Sequence, residues 1–216
     1  MSSGIRWQNN SLVSLELRDG SFVLLQMLDS KGWIAVLNCY RDKNEWDDVN
    51  LNENDVLFVT CALRNFLKRS NLNRVKDVEI IKGLSSPNTP QTRLNTKPHY
   101  RNITLWSNTE DEVTVLASGG NGDVGLHTTG RDCDGTLVDD FKTIEPSEYH
   151  QFERMETSHL SDYGTLNERL LLCKNKGWNF DPMRNLIFDW SLDRECSIYA
   201  KLISGKVRFD ELGYYG

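Results

Sequence analysis

The stretch SLVSLELRDGSFVLLQML, residues 11–28, constrains the fold more than any other part of the chain. Apolar and polar residues alternate on both sides of Asp19-Gly20, a pair that accepts the positive φ angles of a tight hairpin. A period of two puts alternate side chains on opposite faces of a strand, so this segment predicts two antiparallel strands. After Ser30-Lys31-Gly32, GWIAVLNCY predicts a third strand and an antiparallel meander. The acidic stretch RDKNEWDDVNLNEND then reads as a loop and VLFVTCAL as a fourth strand. RNFLKRSNL reads as a short helical turn with Phe66 and Leu67 inward, and RVKDVEIIKGL as a closing edge strand.

Residues 85–98, SSPNTPQTRLNTKP, hold three prolines among Ser, Thr and Asn, a composition that builds neither a helix nor a central strand. They are expected to connect a β-rich domain, 1–84, to an α+β domain, 99–216, whether or not the two pack as one unit. In the second half RNITLW, DEVTVLAS and GTLVDDFKTI read as strands. Glu145-Pro146-Ser147 opens a predicted helix, SEYHQFERM. GTLNERLLLCKNKGW gives the strongest helix signal. Thr165 and Glu168 form a capping box, Leu166, Leu170 and Cys173 share a face, and Gly177 stops it. After Asp181-Pro182, LIFDW and the segment SIYAKLISGKVRFDEL around Ser204-Gly205 are expected to return to β structure. Without regular strand–helix alternation, the expected class is α+β, with a mostly antiparallel, curled sheet and a few helices in the C-terminal half.

Bulk properties narrow the function classes. A chain of 216 residues with 38% hydrophobic and 26% charged residues can bury a substantial core. No apolar run approaches about 18 residues, so no membrane span or membrane partner is expected. MSSGIRWQNN lacks the basic start and apolar stretch of a signal peptide. The five cysteines are scattered and never in C-x-x-C, as suits free thiols in a reducing, cytoplasmic setting. The net charge of −6 is unevenly placed: residues 1–84 balance, whereas 109–165 carry 3 basic against 13 acidic residues. Such a surface lacks the cations that displace phosphate counterions, which argues against nucleic acid. It suits a basic protein partner.

Two catalytic fingerprints stand almost end to end. Gly120, Gly122 and Gly125 spell G-x-G-x-x-G, but a pyrophosphate site needs a helix next, and LHTTGRDCDG has no helical period. DCDGTLVDD resembles the nucleophile motif of haloacid dehalogenase-like phosphatases, which would make Asp132 the nucleophile and Asp134 a general acid. That chemistry uses the end of a buried parallel strand, whereas HTTGR before Asp132 is polar throughout. The turn also lacks the later Glu of a calcium loop, and His99, His127, His150 and His159 are not at metal-ligand spacings. No catalytic residue, metal or cofactor is expected. The basic cluster Arg64, Lys68, Arg69, Arg74 and Lys76 reads as a solvated face. Trp46, flanked by Glu45, Asp47 and Asp48, is the tryptophan suited to anchor an interface.

The segments IRWQNNSLVSLELRDGSFVLLQMLDSKGWIAVLNCY and NDVLFVTCALRNFLKRSNLNRVKDVEI together resemble the immunity protein 26 family of bacterial polymorphic toxin systems. The likeness covers about residues 5–82 and lies in the order of strands, the Asp19-Gly20 turn, the return through Gln26, and Val56–Val59. The Trp-x-x-(Ile/Leu)-Gly that often closes that family is replaced here by VKDVEIIKG. The resemblance implies a cytoplasmic antitoxin that binds a cognate toxin domain, such as a nuclease with a basic cleft, and performs no chemistry. Charge then selects Asp132, Asp134, Asp139 and Asp140 as partner contacts, with Glu45, Trp46, Asp47 and Asp48 as a second patch. The alternatives are a small phosphatase or hydrolase using Asp132 and Asp134, and a binding domain with the sheet as platform.

Overall fold

A computed structural model describes residues 5–29, 32–63, 66–84, 91–96, 100–118, 124–131, 137–153, 155–157 and 162–214. The chain forms two compact units that interleave along the sequence. One comprises Met1–Ser86, His159–Asn179 and Phe209–Gly216, the other Pro87–Ser158 and Phe180–Arg208. The first boundary falls within the Pro-rich stretch, but the chain then returns to the first unit twice. A single cut between 84 and 99 therefore does not separate the units. The fold class is α+β and mostly antiparallel, as the strand patterns indicate.

The first unit is built on β1 (Ser11–Glu16), β2 (Phe22–Met27), β3 (Trp33–Arg41), β4 (Val56–Cys61) and β5 (Leu72–Val75), ordered β4-β3-β2-β1-β5. β1, β2, β3 and β4 form the expected meander, and β5 closes against β1 at the edge. Register shifts at Val23/Leu25 and Val36/Leu37 are bulges, which raise local twist and curl a sheet. Residues Phe66–Arg69 form α1.

This sheet is buried on both faces, which explains why FVLLQM reads as a nearly continuous apolar run. The cross-strand row Leu12, Gln26, Ala35, Val59 lies on one face. Leu12, Leu24, Ala35 and Leu37 there pack with Trp46 from the β3–β4 loop and with Val78 and Ile81 from the segment after β5. Two fully buried polar side chains interrupt that face, and each clamps a covering segment. Gln26 donates through Nε2 to the Ile81 carbonyl (3.0 Å), and its Oε1 accepts from the Ile81 N–H (2.9 Å). Ser14 donates to Asn44 Oδ1 (2.7 Å) in the β3–β4 loop. Each bond satisfies groups whose burial alone would cost about 1–3 kcal/mol.

The opposite row is Val13, Leu25, Val36, Phe58. The Arg169 guanidinium of α2 (Tyr163–Lys176) lies 4.0 Å over the Phe58 ring, placing the helix on this side. Leu166, Leu170 and Cys173 are buried, as their shared face predicts, and Gly177 ends the helix at φ +72°. The N-cap differs from expectation: it is Asp162 and not Thr165, and its carboxylate accepts from the Thr165 N–H (2.8 Å), so the helix starts earlier. Gly164 is then required by contact, because a Cβ there would lie 2.2 Å from the Phe209 ring. Asn167, Glu168 and Arg169 are buried as well. Glu168 receives a two-pronged bond from Arg18 (Nε 2.5 Å, Nη2 3.1 Å) and one from the Tyr214 hydroxyl (2.7 Å). Burial, then the charge of Glu168, holds the Tyr214 hydroxyl far above the ordinary tyrosine range, so it stays protonated and donates. Asn167 and Lys174 also reach the β1–β2 turn, at Glu16, Arg18 and Asp19.

The second unit holds a three-stranded sheet, β10-β9-β6, of β6 (Gln91–Thr96), β9 (Val124–Arg131) and β10 (Leu137–Thr143). It also holds a two-stranded ribbon of β7 (Tyr100–Leu105) and β8 (Val113–Ser118). Part of the expected connector is thus an edge strand, β6. Pro146–Phe152 is a 3-10 helix, whose three-residue repeat brings Tyr149 and Phe152 into one core with Phe188 and Ile187. Two expected β segments are helical: α3 (Pro182–Ile187) and α4 (Ser197–Ile203). In α3, Asp181 caps the Met183 N–H (3.0 Å) and Pro182 fits the first turn, a start signal that outweighs the strand propensity of LIF. Both helices pack on β8. No helix among the described residues is long and apolar enough to cross a membrane.

Candidate functional site

The site is the loop between β3 and β4. Residues 42–55 carry six carboxylates (Asp42, Glu45, Asp47, Asp48, Glu53, Asp55) and one lysine. Such a stretch would stay disordered on its own charge, and three apolar residues prevent that. Trp46, only 5% exposed, sits in the core with Leu12, Leu24 and Leu37, and Val49 and Leu51 pack against the same cluster. The indole N–H donates to Asn44 Oδ1 (2.7 Å), the atom that also receives the Ser14 hydroxyl. Arg41 stands 5.7 Å from the Trp46 ring and pairs with Asp48 (2.7 Å). Farther along, Asn52 and Asp55 form a reciprocal cap on the 3-10 turn Glu53–Asp55.

The loop is therefore pinned from below while its charges face water. The side chains of Asp42, Glu45, Asp47 and Glu53 are exposed, with no ion pair or hydrogen bond to another described residue. A small groove of about 190 Å³ borders the loop, lined by Asn44, Trp46, Asp47, Arg74, Val75, Lys76 and Asp77. Its lining holds no histidine, cysteine or hydroxyl residue. Among the described residues, no group of three or more His, Cys, Asp or Glu side chains gathers to hold a metal ion.

A family model described as "Domain of unknown function (DUF8309)" matches residues 2–191. The chain belongs to the DUF8309 family. Its match takes in the whole five-stranded sheet, the acidic loop and most of the second unit, while α4 and Tyr214 lie beyond it. No curated protein and no solved structure matches the chain.

The sequence-selected residues of this DUF8309 protein fare differently. Glu45, Asp47 and Asp48 are exposed, as a contact surface requires. Trp46 departs from the expected exposed anchor: its ring packs in the core, where its apolar area gains more from burial among Leu12, Leu24 and Leu37 than from exposure in a charged loop. Asp139 and Asp140 stand on β10, in register with Thr129 and Thr128 of β9. They belong to the other unit, so no single unit holds both acidic groups. Asp132 and Asp134 lie outside the described residues. The strands on either side of them, β9 and β10, pair antiparallel. β9 starts at Val124, inside the glycine motif and one residue before Gly125, giving a strand where a dinucleotide site needs a helix. Ser14, Asn44 and Arg41 escaped sequence reasoning, though a serine inside an apolar strand was the available signal for the first.

Proposed function

We propose that this DUF8309 protein is an antitoxin-type immunity protein that binds a cognate toxin domain and blocks it. The observation that carries this reading is the pinned acidic loop 42–55, set within the region that resembles immunity protein 26. A loop already ordered by Trp46 pays little further entropy on binding, and its unpaired carboxylates supply a field that speeds encounter with a basic surface. The partner this suits is a nuclease domain with a cationic cleft. The carboxylates of Asp42, Glu45, Asp47 and Glu53 take the positions of substrate phosphates, so inhibition is by occlusion. It acts in the cytoplasm, where a delivered toxin meets its target.

A hydrolase using Asp132 and Asp134 has weaker support, because the flanking strands are antiparallel where that chemistry uses a parallel strand end. Co-expression with candidate toxin domains, taken first from any protein encoded by the neighbouring upstream gene, tests both readings. Protection of the host and co-purification of a stoichiometric complex are expected. Phosphoester turnover that disappears in Asp132→Asn/Asp134→Asn, with no complex formed, would replace the first reading by the second.

A further inference from the structure

A second surface of the first unit points to a different kind of partner. Trp7, Gly32, Cys61, Ala62, Leu63, Phe66 and Leu67 line an apolar cleft of about 320 Å³, open to solvent on one side. Leu63 stays 40% exposed and Trp7 is half-buried there. The volume is at the lower end for a specific binding pocket, where about 300–1,000 Å³ is typical. Gly32 there sits at φ +97°, a conformation that favours glycine, while a Cβ would make only ordinary contact with Cys61 Sγ and the Ala62 carbonyl at 3.5 Å.

The cleft lies at the end of β4, and β4 is an outer strand of the five-stranded sheet. Among the described residues its backbone pairs with β3 alone. An outer strand offers a row of N–H and C=O groups to an added strand, while a pocket beside it reads a side chain. Charge identifies the occupant. The stretch 61–69 that supplies most of the lining holds three basic residues, Arg64, Lys68 and Arg69, and no acidic one. Lys68 and Arg69 are exposed on α1, next to the lining residues Phe66 and Leu67.

We propose that the β4 edge and this cleft form a docking site for an extended acidic segment of a partner protein. The segment adds to β4 as a sixth strand and seats one apolar side chain among Trp7, Leu63 and Phe66. Its flanking carboxylates face the cations of α1. The site is separate in chemistry from the acidic loop and does not depend on the toxin reading.

The test uses the full-length protein and labelled seven-residue acetylated peptides, followed by fluorescence anisotropy. A central Phe, Leu, Trp or Val is flanked by Glu and Asp in one set and by Lys and Arg in the other; dodecanoate serves as a competitor. The acidic set is expected to bind and to slow amide exchange across residues 56–62. Leu63→Glu, a surface change, should weaken binding by about tenfold or more, because it sets a carboxylate in the apolar cleft. Lys68→Glu should weaken it several-fold. No binding by any acidic peptide, equal binding by the basic set, or affinity unchanged in Leu63→Glu would overturn the proposal. So would dodecanoate binding without peptide binding.

Discussion

The two units hide their β structure in different ways. In the first, a five-stranded sheet is covered on both faces, and the polar groups left inside it, Ser14 and Gln26, each hold a covering segment in place. In the second, the β7–β8 ribbon buries one face and leaves Tyr100 and Leu116 about two-thirds exposed at 65% and 64%. Small helices and aromatic contacts supply its core, with Tyr149 stacked on Phe188 at 4.4 Å and Phe188 against Trp190 at 4.8 Å. The difference shows where each unit keeps its rigidity: in covered strands for one, in clustered side chains for the other. A loop that must present charge without moving is better placed on the first.

Trp46→Ala should break this contrast most strongly. Removing a buried tryptophan costs about 3–5 kcal/mol, measurable by chemical denaturation, and should loosen residues 42–55 in hydrogen exchange. A loss under about 1 kcal/mol would mean the indole does not hold the loop. Glu168→Ala leaves Arg18 and the Tyr214 hydroxyl without their carboxylate, at about 3 kcal/mol. Gln26→Leu strands the Ile81 N–H and C=O, at about 1–3 kcal/mol, and should speed exchange in 76–84 more than in β7–β8. Equal acceleration in both places would dissolve the distinction between the units.

The smallest expected effect is an acid one. Burial alone would raise the Asp19 carboxyl, but bonds from Ser21 and Lys174 outweigh it and hold the group below 3.8. A carboxylate lowered in the folded state adds stability above its unfolded value, and that contribution disappears as pH falls through the lowered one. Lys174→Met should therefore cost less than about 1 kcal/mol near neutrality. It should also shift acid unfolding of the first unit to higher pH. In the second unit Asp111 is lowered likewise by Lys201 and Arg194, so Asp111→Asn should raise that unit's acid midpoint instead.

The first unit was the more legible in sequence because its apolar segments are of strand length and an Asp-Gly turn marks the first pairing directly. Its helix α2 was legible too, but not its return to the N-terminal sheet. That depends on the meeting of Arg18 with Glu168 and of Phe209 with Gly164, which local pattern does not encode. In the second unit, LIF and SIY carry strand propensity, yet segments of six and seven residues follow packing and caps more than propensity. The acidic loop was visible as charge. The inward turn of Trp46 was not, since an aromatic amid carboxylates reads equally as anchor or core until the sheet face beneath it is known.

The proposed function requires the charges of 42–55 to act as a preordered surface for a basic partner. Its most direct test is the association rate with the toxin domain that co-purifies with it, measured over rising salt for the native protein and for Glu45→Gln/Asp47→Asn/Glu53→Gln. The native rate should be fast and fall steeply with ionic strength, while the neutralised variant associates slowly with a flatter dependence and an unchanged fold. Identical rates and identical salt slopes for the two proteins would contradict it.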